Sequence, residues 1–267
     1  MAGSGPRDRS AAQRLFDANP ATLIVVAHPD DEIIGAAAVL LRLREKASVL
    51  HVTDGAPRNL EDAARAGFTT AAAYARARRE EARASLRIAG ATVLESFGIA
   101  DQTACRCLTR LTHRLTDLLK RIAPDIVVTH AFEGGHPDHD AVAFAAAHAA
   151  RACGIALVEM CGYFDDGSGM VTGCFAPPST PVLSYTLNDA ERQLKQRMLA
   201  CHRTQARTLA QFDTRVELYR PAPAYDFTSV PNGGRVLYDR YDWGLRSSEW
   251  PALAGHAQTQ LEQWRAA

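Results

Sequence analysis

Leu23-Ile24-Val25-Val26-Ala27-His28-Pro29-Asp30-Asp31-Glu32 is the stretch that decides the fold. Its apolar half is short, unbroken and rich in β-branched residues, which suits a strand buried on both faces of a parallel sheet. A helical pattern follows at once, with Ile33, Ala37, Leu40 and Leu41 on one face. The imidazole and carboxylates therefore lie where a strand hands over to a helix.

The same alternation repeats outward from this point. Strands are expected at 48–53, 91–97, 125–130 and 155–160, and helices at 60–90 (broken near Gly67), 104–122 and 137–153. The clearest helix is 104–122, where Leu108, Leu111, Leu115, Leu118, Leu119 and Ile122 recur at three- and four-residue steps until Pro124 stops it. The expected fold is α/β: a Rossmann-like three-layer sandwich with a mostly parallel sheet and helices on both faces. Residues 1–20 read as a polar tail with one short helix, and 21–267 as a single domain. Within it, 21–160 is the βαβ core. Residues 161–267 form a C-terminal cover: a Gly/Pro-rich stretch to 181, a strand near 182–187, a helix at about 189–212 and a Pro/aromatic-rich end with one terminal helix.

Composition removes whole classes of function. The 267 residues carry 30 Lys+Arg against 30 Asp+Glu, and this balance argues against nucleic acid or an anionic membrane as partner. No apolar run approaches the roughly 20 residues that span a bilayer, and the first twenty residues have no apolar centre of a secretory signal. Six cysteines are too sparse for a disulfide framework. A soluble, reduced, cytoplasmic protein is expected, compatible with a homo-oligomer.

In an open parallel sheet, ligands sit at the carboxyl ends of the strands. Two such loops are loaded with the same residue types: His28-Pro29-Asp30-Asp31-Glu32 and Glu133-Gly134-Gly135-His136-Pro137-Asp138-His139-Asp140. A single Asp or His there would be read as a helix cap. Clustered carboxylates repel one another, however, and a cation offsets the repulsion. Imidazoles plus carboxylate oxygen, with no thiolate, fit Zn²⁺ best, with Fe²⁺ or Mn²⁺ as alternatives. His28 and Asp31 are three residues apart, as are His136 and His139, so each pair can face one point. More than three candidates compete for three ligand places, and the surplus should serve catalysis.

These paired motifs resemble the PIG-L (LmbE-like) family of zinc-dependent de-N-acetylases. The likeness extends to Thr53-Asp54-Gly55, Arg78-Arg79-Glu80-Glu81, the 98–102 loop and His202-Arg203-Thr204-Gln205. The resemblance implies that His28, Asp31 and His139 hold the zinc and that Asp30 is the general base toward the metal-bound water. It further implies that His136 is a cationic group stabilising the oxyanion and that Asp138 tunes a neighbouring histidine. Arg78 and Asp101 would contact substrate. Where some members carry a tyrosine two residues before the catalytic histidine, this chain has Gly134, so that contact must come from elsewhere, for example Tyr163 or Tyr185. The substrate class implied is an N-acylated, acetyl-bearing aminosugar conjugate. One charged carboxylate and one protonated imidazole would give a bell-shaped pH profile.

Two other readings use the same residues. A two-His-one-carboxylate Fe(II) enzyme would sit more naturally on a β-barrel than on alternating β and α. A non-catalytic sugar-binding protein would need neither Asp30 nor His136. Cys105 and Cys107 read as ordinary helix thiols, His51 and His113 as structural, and His130 as a neighbour of the site. His202, Gln205, Tyr241, Trp243 and Trp250 read as packing residues, with a groove lining or an aromatic platform for a sugar ring as the sharper alternative.

Overall fold

The computed structural model describes residues 10–177 and 181–266. Five strands run parallel: β1 (Thr22–Val26), β2 (Ala47–Thr53), β3 (Thr92–Ile99), β4 (Ile126–His130) and β5 (Ala156–Met160). A small antiparallel pair, β6 (Tyr163–Asp165) and β7 (Met170–Thr172), follows. Then β8 (Leu183–Thr186) and β9 (Val216–Pro221) add to the main sheet in antiparallel sense. The seven-stranded order is β3-β2-β1-β4-β5-β9-β8.

The helices are α1 (Ala11–Asp17), α2 (Asp31–Gly35), α3 (Ala37–Leu43), α4 (Glu61–Arg65), α5 (Ala71–Ala89), α6 (Leu108–Ile122), α7 (Pro137–Cys153), α8 (Asp189–Cys201), α9 (Ala206–Leu209) and α10 (Trp250–Ala266). Side chains of β1 alternate between two cores, as strand geometry requires. Leu23 and Val25 join Leu50, Val127 and the leucines of α6, together with α7 and Trp250 of α10. Ile24 and Val26 join Val49 and Val128 on the other face, with Leu15 of α1, Leu40 of α3, Leu86 of α5 and Met198 of α8. All five β1 residues are buried, which is why the run carries no polar alternation. Burying each Leu or Val contributes roughly 1.5–3 kcal/mol.

From β1 the chain moves outward to β2 and β3, then returns on the other side to β4. The loops after β1 and β4 thus diverge around one crevice, the topological switch point where ligands bind in such sheets. That connectivity brings the two charged loops together.

Several expectations are corrected. The N-terminal segment is no mere tail, because α1 buries Leu15 and Phe16, stacking Phe16 on Tyr185 and setting it edge-on to Tyr219; residues 1–9 lie outside the described part. The helix expected over 189–212 stops at Cys201, where His202 turns the chain before α9. The helix expected from 104 opens with a 3-10 turn, Ala104–Cys107. The 161–181 stretch, three residues of which lie outside the description, contains β6 and β7. Strand β9 was not expected; its charged Glu217 and Arg220 are buried against ions, with Lys195 Nζ 2.7 Å from Glu217 and Arg220 Nε 2.7 Å from Glu159. No helix among the described residues is long and apolar enough to cross a membrane.

Candidate metal centre and active site

The β1 turn leaves its strand abruptly. Asp30 adopts φ 151°, ψ −23°, a backbone that a residue with a Cβ rarely takes. Such strain costs on the order of 1–3 kcal/mol and persists only where the surroundings over-determine it. Here Asp30 N–H donates to Glu32 Oε2 at 3.1 Å, and its carbonyl accepts from Ile33 and Ile34. The Asp30 carboxylate takes a bond from Arg78 Nη2 at 2.8 Å.

The β4 turn is pinned by its own acids. Asp140 Oδ1 accepts the N–H groups of Glu133 and Gly134. Asp138 accepts from Gln102 N–H at 2.6 Å and Ala104 N–H at 2.9 Å, tying the loop after β3 to the start of α7. His136 caps α7, its Nδ1 accepting the Asp138 N–H, with Pro137 at the first helical position.

Three donors meet between the loops. His28 Nδ1 lies 3.2 Å from Asp31 Oδ2, His139 Nε2 lies 3.2 Å from Asp31 Oδ1, and the two ring nitrogens are 3.3 Å apart. Donors about 2.0–2.1 Å from a tetrahedral zinc are separated by ~3.3 Å, so the triad fits the ion. Ligand atoms of His28, His136 and His139 also converge, as do those of Asp31, His130 and His139, and of His28, Asp101 and Asp138. The charges anticipate a cation. Burial alone would raise Asp31, but His139, His28 and His130 outweigh it and hold its carboxyl well below the usual range. Burial opposes charge on His28, yet Asp101 and Asp31 hold its pKa well above that of a free imidazole.

The neighbours take roles partly different from those expected. Asp101 binds His28 Nε2 at 3.1 Å and leaves Nδ1 to the triad; it orients a histidine, the part expected of Asp138. Asp138 stands 3.5 Å from the same nitrogen but spends its bonds on the 102–104 backbone. Arg78, expected at substrate, is buried and committed to Asp30 and to the carbonyls of Gly55 and Pro29. Burial, then His28, pushes the pKa of His136 well below the ordinary imidazole value, a direction opposite to the cationic role expected of it, and the capped Nδ1 leaves Nε2–H as its donor. His130 accepts the Ala27 N–H and stacks on His139 with ring centroids 3.9 Å apart and planes 9° apart, fixing that ligand's ring.

At Gly134, φ is +74° and a Cβ would lie 2.5 Å from Val236 Cγ1, so no tyrosine fits there. The C-terminal segment fills that space, and Leu237 N–H donates to the Gly134 carbonyl. Of the two stand-ins, Tyr163 qualifies by position: its ring is 5.2 Å from His139. Tyr185 stacks on Phe16 and bonds Glu191 instead. Trp243 lies 4.8 Å from the His136 ring with Tyr241 stacked on it at 4.7 Å, so the C-terminal cover supplies an aromatic wall to the site. Glu32 and His51 (Oε2 to Nε2 3.1 Å) were not expected as a pair, because one follows β1 and the other lies on its neighbour β2, and no spacing in the chain signals the meeting.

At Gly135, a Cβ would lie 2.1 Å from the Tyr163 carbonyl oxygen. Gly135→Ala is therefore expected to destabilise the protein by about 1–3 kcal/mol through overpacking. Chemical denaturation of both proteins, read at a common m-value, measures the loss, and an unchanged midpoint would show that the loop yields freely.

Residues 23–150 match the family model PIG-L, described as GlcNAc-PI de-N-acetylase. This segment belongs to the PIG-L family. None of the curated proteins matches the chain. Among solved structures, the A40926 pseudoaglycone deacetylase Dbv21 is 18% identical with TM-score 0.59, covering 76% of this chain and 98% of its own. The N,N'-diacetylchitobiose deacetylase from Pyrococcus horikoshii is 16% identical with TM-score 0.56, covering 79% and 86%. GalB, the 4-carboxy-2-hydroxymuconate hydratase from Pseudomonas putida, is 22% identical with TM-score 0.52, covering 71% and 81%. These likenesses establish the fold. A hydratase among them shows that this PIG-L fold does not by itself choose the reaction.

Proposed function

We propose that the protein is a metal-dependent hydrolase that removes an N-acetyl group from an aminosugar-containing small molecule. The observation that carries this reading is the meeting of His28 Nδ1 and His139 Nε2, 3.3 Å apart, over the Asp31 carboxylate, whose Oδ2 lies 3.2 Å from the first and whose Oδ1 lies 3.2 Å from the second, beside the strained carboxylate Asp30. Its donor set, two imidazoles and a carboxylate, suits Zn²⁺ over softer or harder ions, with Fe²⁺ or Mn²⁺ as the alternatives. When bound there, the ion supplies Lewis acidity to the amide carbonyl and lowers the pKa of a water to about 7.

The chain's own groups then divide the work. Asp30 accepts the proton of the attacking water and can return it to the departing nitrogen. Arg78 keeps that carboxylate aimed by its 2.8 Å bond. His136, held as the Nε2–H tautomer, donates a hydrogen bond where negative charge develops on the carbonyl oxygen. Asp101 and His130 keep the two histidine ligands in orientation. The Trp243–Tyr241 wall suits the apolar face of a sugar ring or an aromatic aglycone.

Burial raises Asp30 to about 7, against the pull of Arg78. A base works only when deprotonated, and a bound cation favours the carboxylate further. The acid limb of kcat/KM is therefore expected at or below pH 7, with activity falling as pH drops through it. A pH–rate profile of the zinc-loaded protein checks the position, and activity that keeps rising with acidity would remove Asp30 as base.

The reading itself is tested by incubating the zinc-loaded protein with N-acetylglucosamine glycosides, including diacetylchitobiose and aryl-glycoside conjugates. Free acetate and primary amine should appear in equal amounts. A panel that yields neither, with the metal in place, overturns it. Release of water addition products from an enoic acid instead would favour hydratase chemistry.

A further inference from the structure

Behind Asp30 lies a second polar cluster that the reaction as described does not use. Glu32 (0% exposed), His51 (1%) and His202 (0%) come from α2, β2 and the turn after α8. Glu32 Oε2 accepts from Asp30 N–H at 3.1 Å and lies 3.1 Å from His51 Nε2. Its other oxygen, Oε1, has no partner in the chain, nor do His202 Nδ1, His202 Nε2 or Arg78 Nε, although all four atoms are buried. α2, which carries Glu32, packs against α8, and α5, which carries Arg78, packs against the turn that follows His202, and the charges acting on His202 are those of Glu32, Arg78 and His51. A buried imidazole necessarily carries at least one N–H, and buried donors in folded proteins find an acceptor.

We propose that Glu32, His51 and His202 are positioning residues for Asp30 and Arg78, completed by an internal water that bridges Glu32 Oε1, His202 and Arg78 Nε. A water is the species that fits: the four orphaned atoms offer both donors and acceptors, and buried waters make about three hydrogen bonds to such groups. The brace acts on both halves of the Asp30–Arg78 pair. Glu32 satisfies the N–H of the one residue whose backbone is forced to φ 151°, and the water would hold the remaining guanidinium nitrogen. His51 locks the Glu32 carboxylate from the neighbouring strand. Removing the brace should let Asp30 relax toward ordinary backbone angles and swing its carboxylate away from the reacting atoms, leaving the metal triad on its own bonds.

This inference rests on Asp30 being the base, so the test has an arm that does not need turnover. In zinc-loaded protein, Glu32→Ala is expected to lower kcat by about 10²-fold with KM within about twofold, the loss typical of a catalytic group displaced by an ångström. Glu32→Gln keeps an oxygen for the Asp30 N–H and should recover most of that loss; His202→Leu should lie between. Equal losses in Glu32→Gln and Glu32→Ala, or wild-type kcat in Glu32→Ala, would overturn the proposal. The second arm is a high-resolution crystal structure of the wild type and of whichever Glu32 variant folds. A water bonded to Glu32 and His202, and a relaxed Asp30 in the variant, support the brace. A dry cluster with Asp30 unmoved ends it. If the wild type cleaves no amide, the functional reading fails while the crystallographic arm still decides the brace.

Discussion

Asp30→Asn is expected to keep its zinc and lose kcat by at least about 10²-fold, and up to about 10⁴-fold. The substitution is nearly isosteric and leaves His28, Asp31 and His139 untouched, so metal content should stay at the wild-type level. What disappears is the ability to take a proton, because an amide cannot do so near neutral pH. The fold should survive. Arg78 retains the Gly55 and Pro29 carbonyls and has Asp101 3.9 Å away, so its charge is not left alone. Parallel measurement of kcat, zinc per chain and thermal melting separates the outcomes. Near wild-type turnover in a metal-replete variant would refute the role of Asp30.

His139→Ala is expected to abolish tight metal binding and, with it, activity. The triad has three corners; with one gone, one carboxylate and a single imidazole of it remain, Asp31 and His28 at 3.2 Å. The Lewis acid contributes several kcal/mol to the barrier, so turnover should fall by at least about 10³-fold. Metal also stabilises the fold it binds. At a free concentration about 100 times Kd the gain is about 2.7 kcal/mol. For a chain of this size that shifts Tm by roughly 5–10 °C. Wild type should therefore lose those degrees on chelation, whereas His139→Ala should melt at one temperature with or without chelator. A chelation-sensitive Tm in the variant would place the ion elsewhere in the cluster, at His28, Asp101 and Asp138.

These expectations depend on features that were unequally visible in the chain. The β1 run and the leucine steps of α6 announce their structures because burial and periodicity are local properties. The two acidic turns were visible for the same reason, as were their ligand spacings. The acceptor for His28 was not: Asp101 and Asp138 are both acids near a strand end, and only the path of the 98–104 loop decides which one meets Nε2. The protonation of His136 likewise depends on its position at the α7 cap and on its burial. Gly134 signalled a missing side chain but not that Val236, a hundred residues on, fills its place.

The chain alone determined the α/β layering and the two strand-end loops loaded with histidines and acids, because each follows from short-range pattern plus a general rule about strand ends; His28, Asp31 and His139 were singled out as ligands only by the family resemblance. The tertiary structure alone decided how the surplus acids and histidines were shared out, which strand carried buried ions, and what stands behind Asp30. Those are contacts between residues far apart in the chain, such as Glu32 with His51, and hydrogen bonds of that kind leave no period or spacing to read.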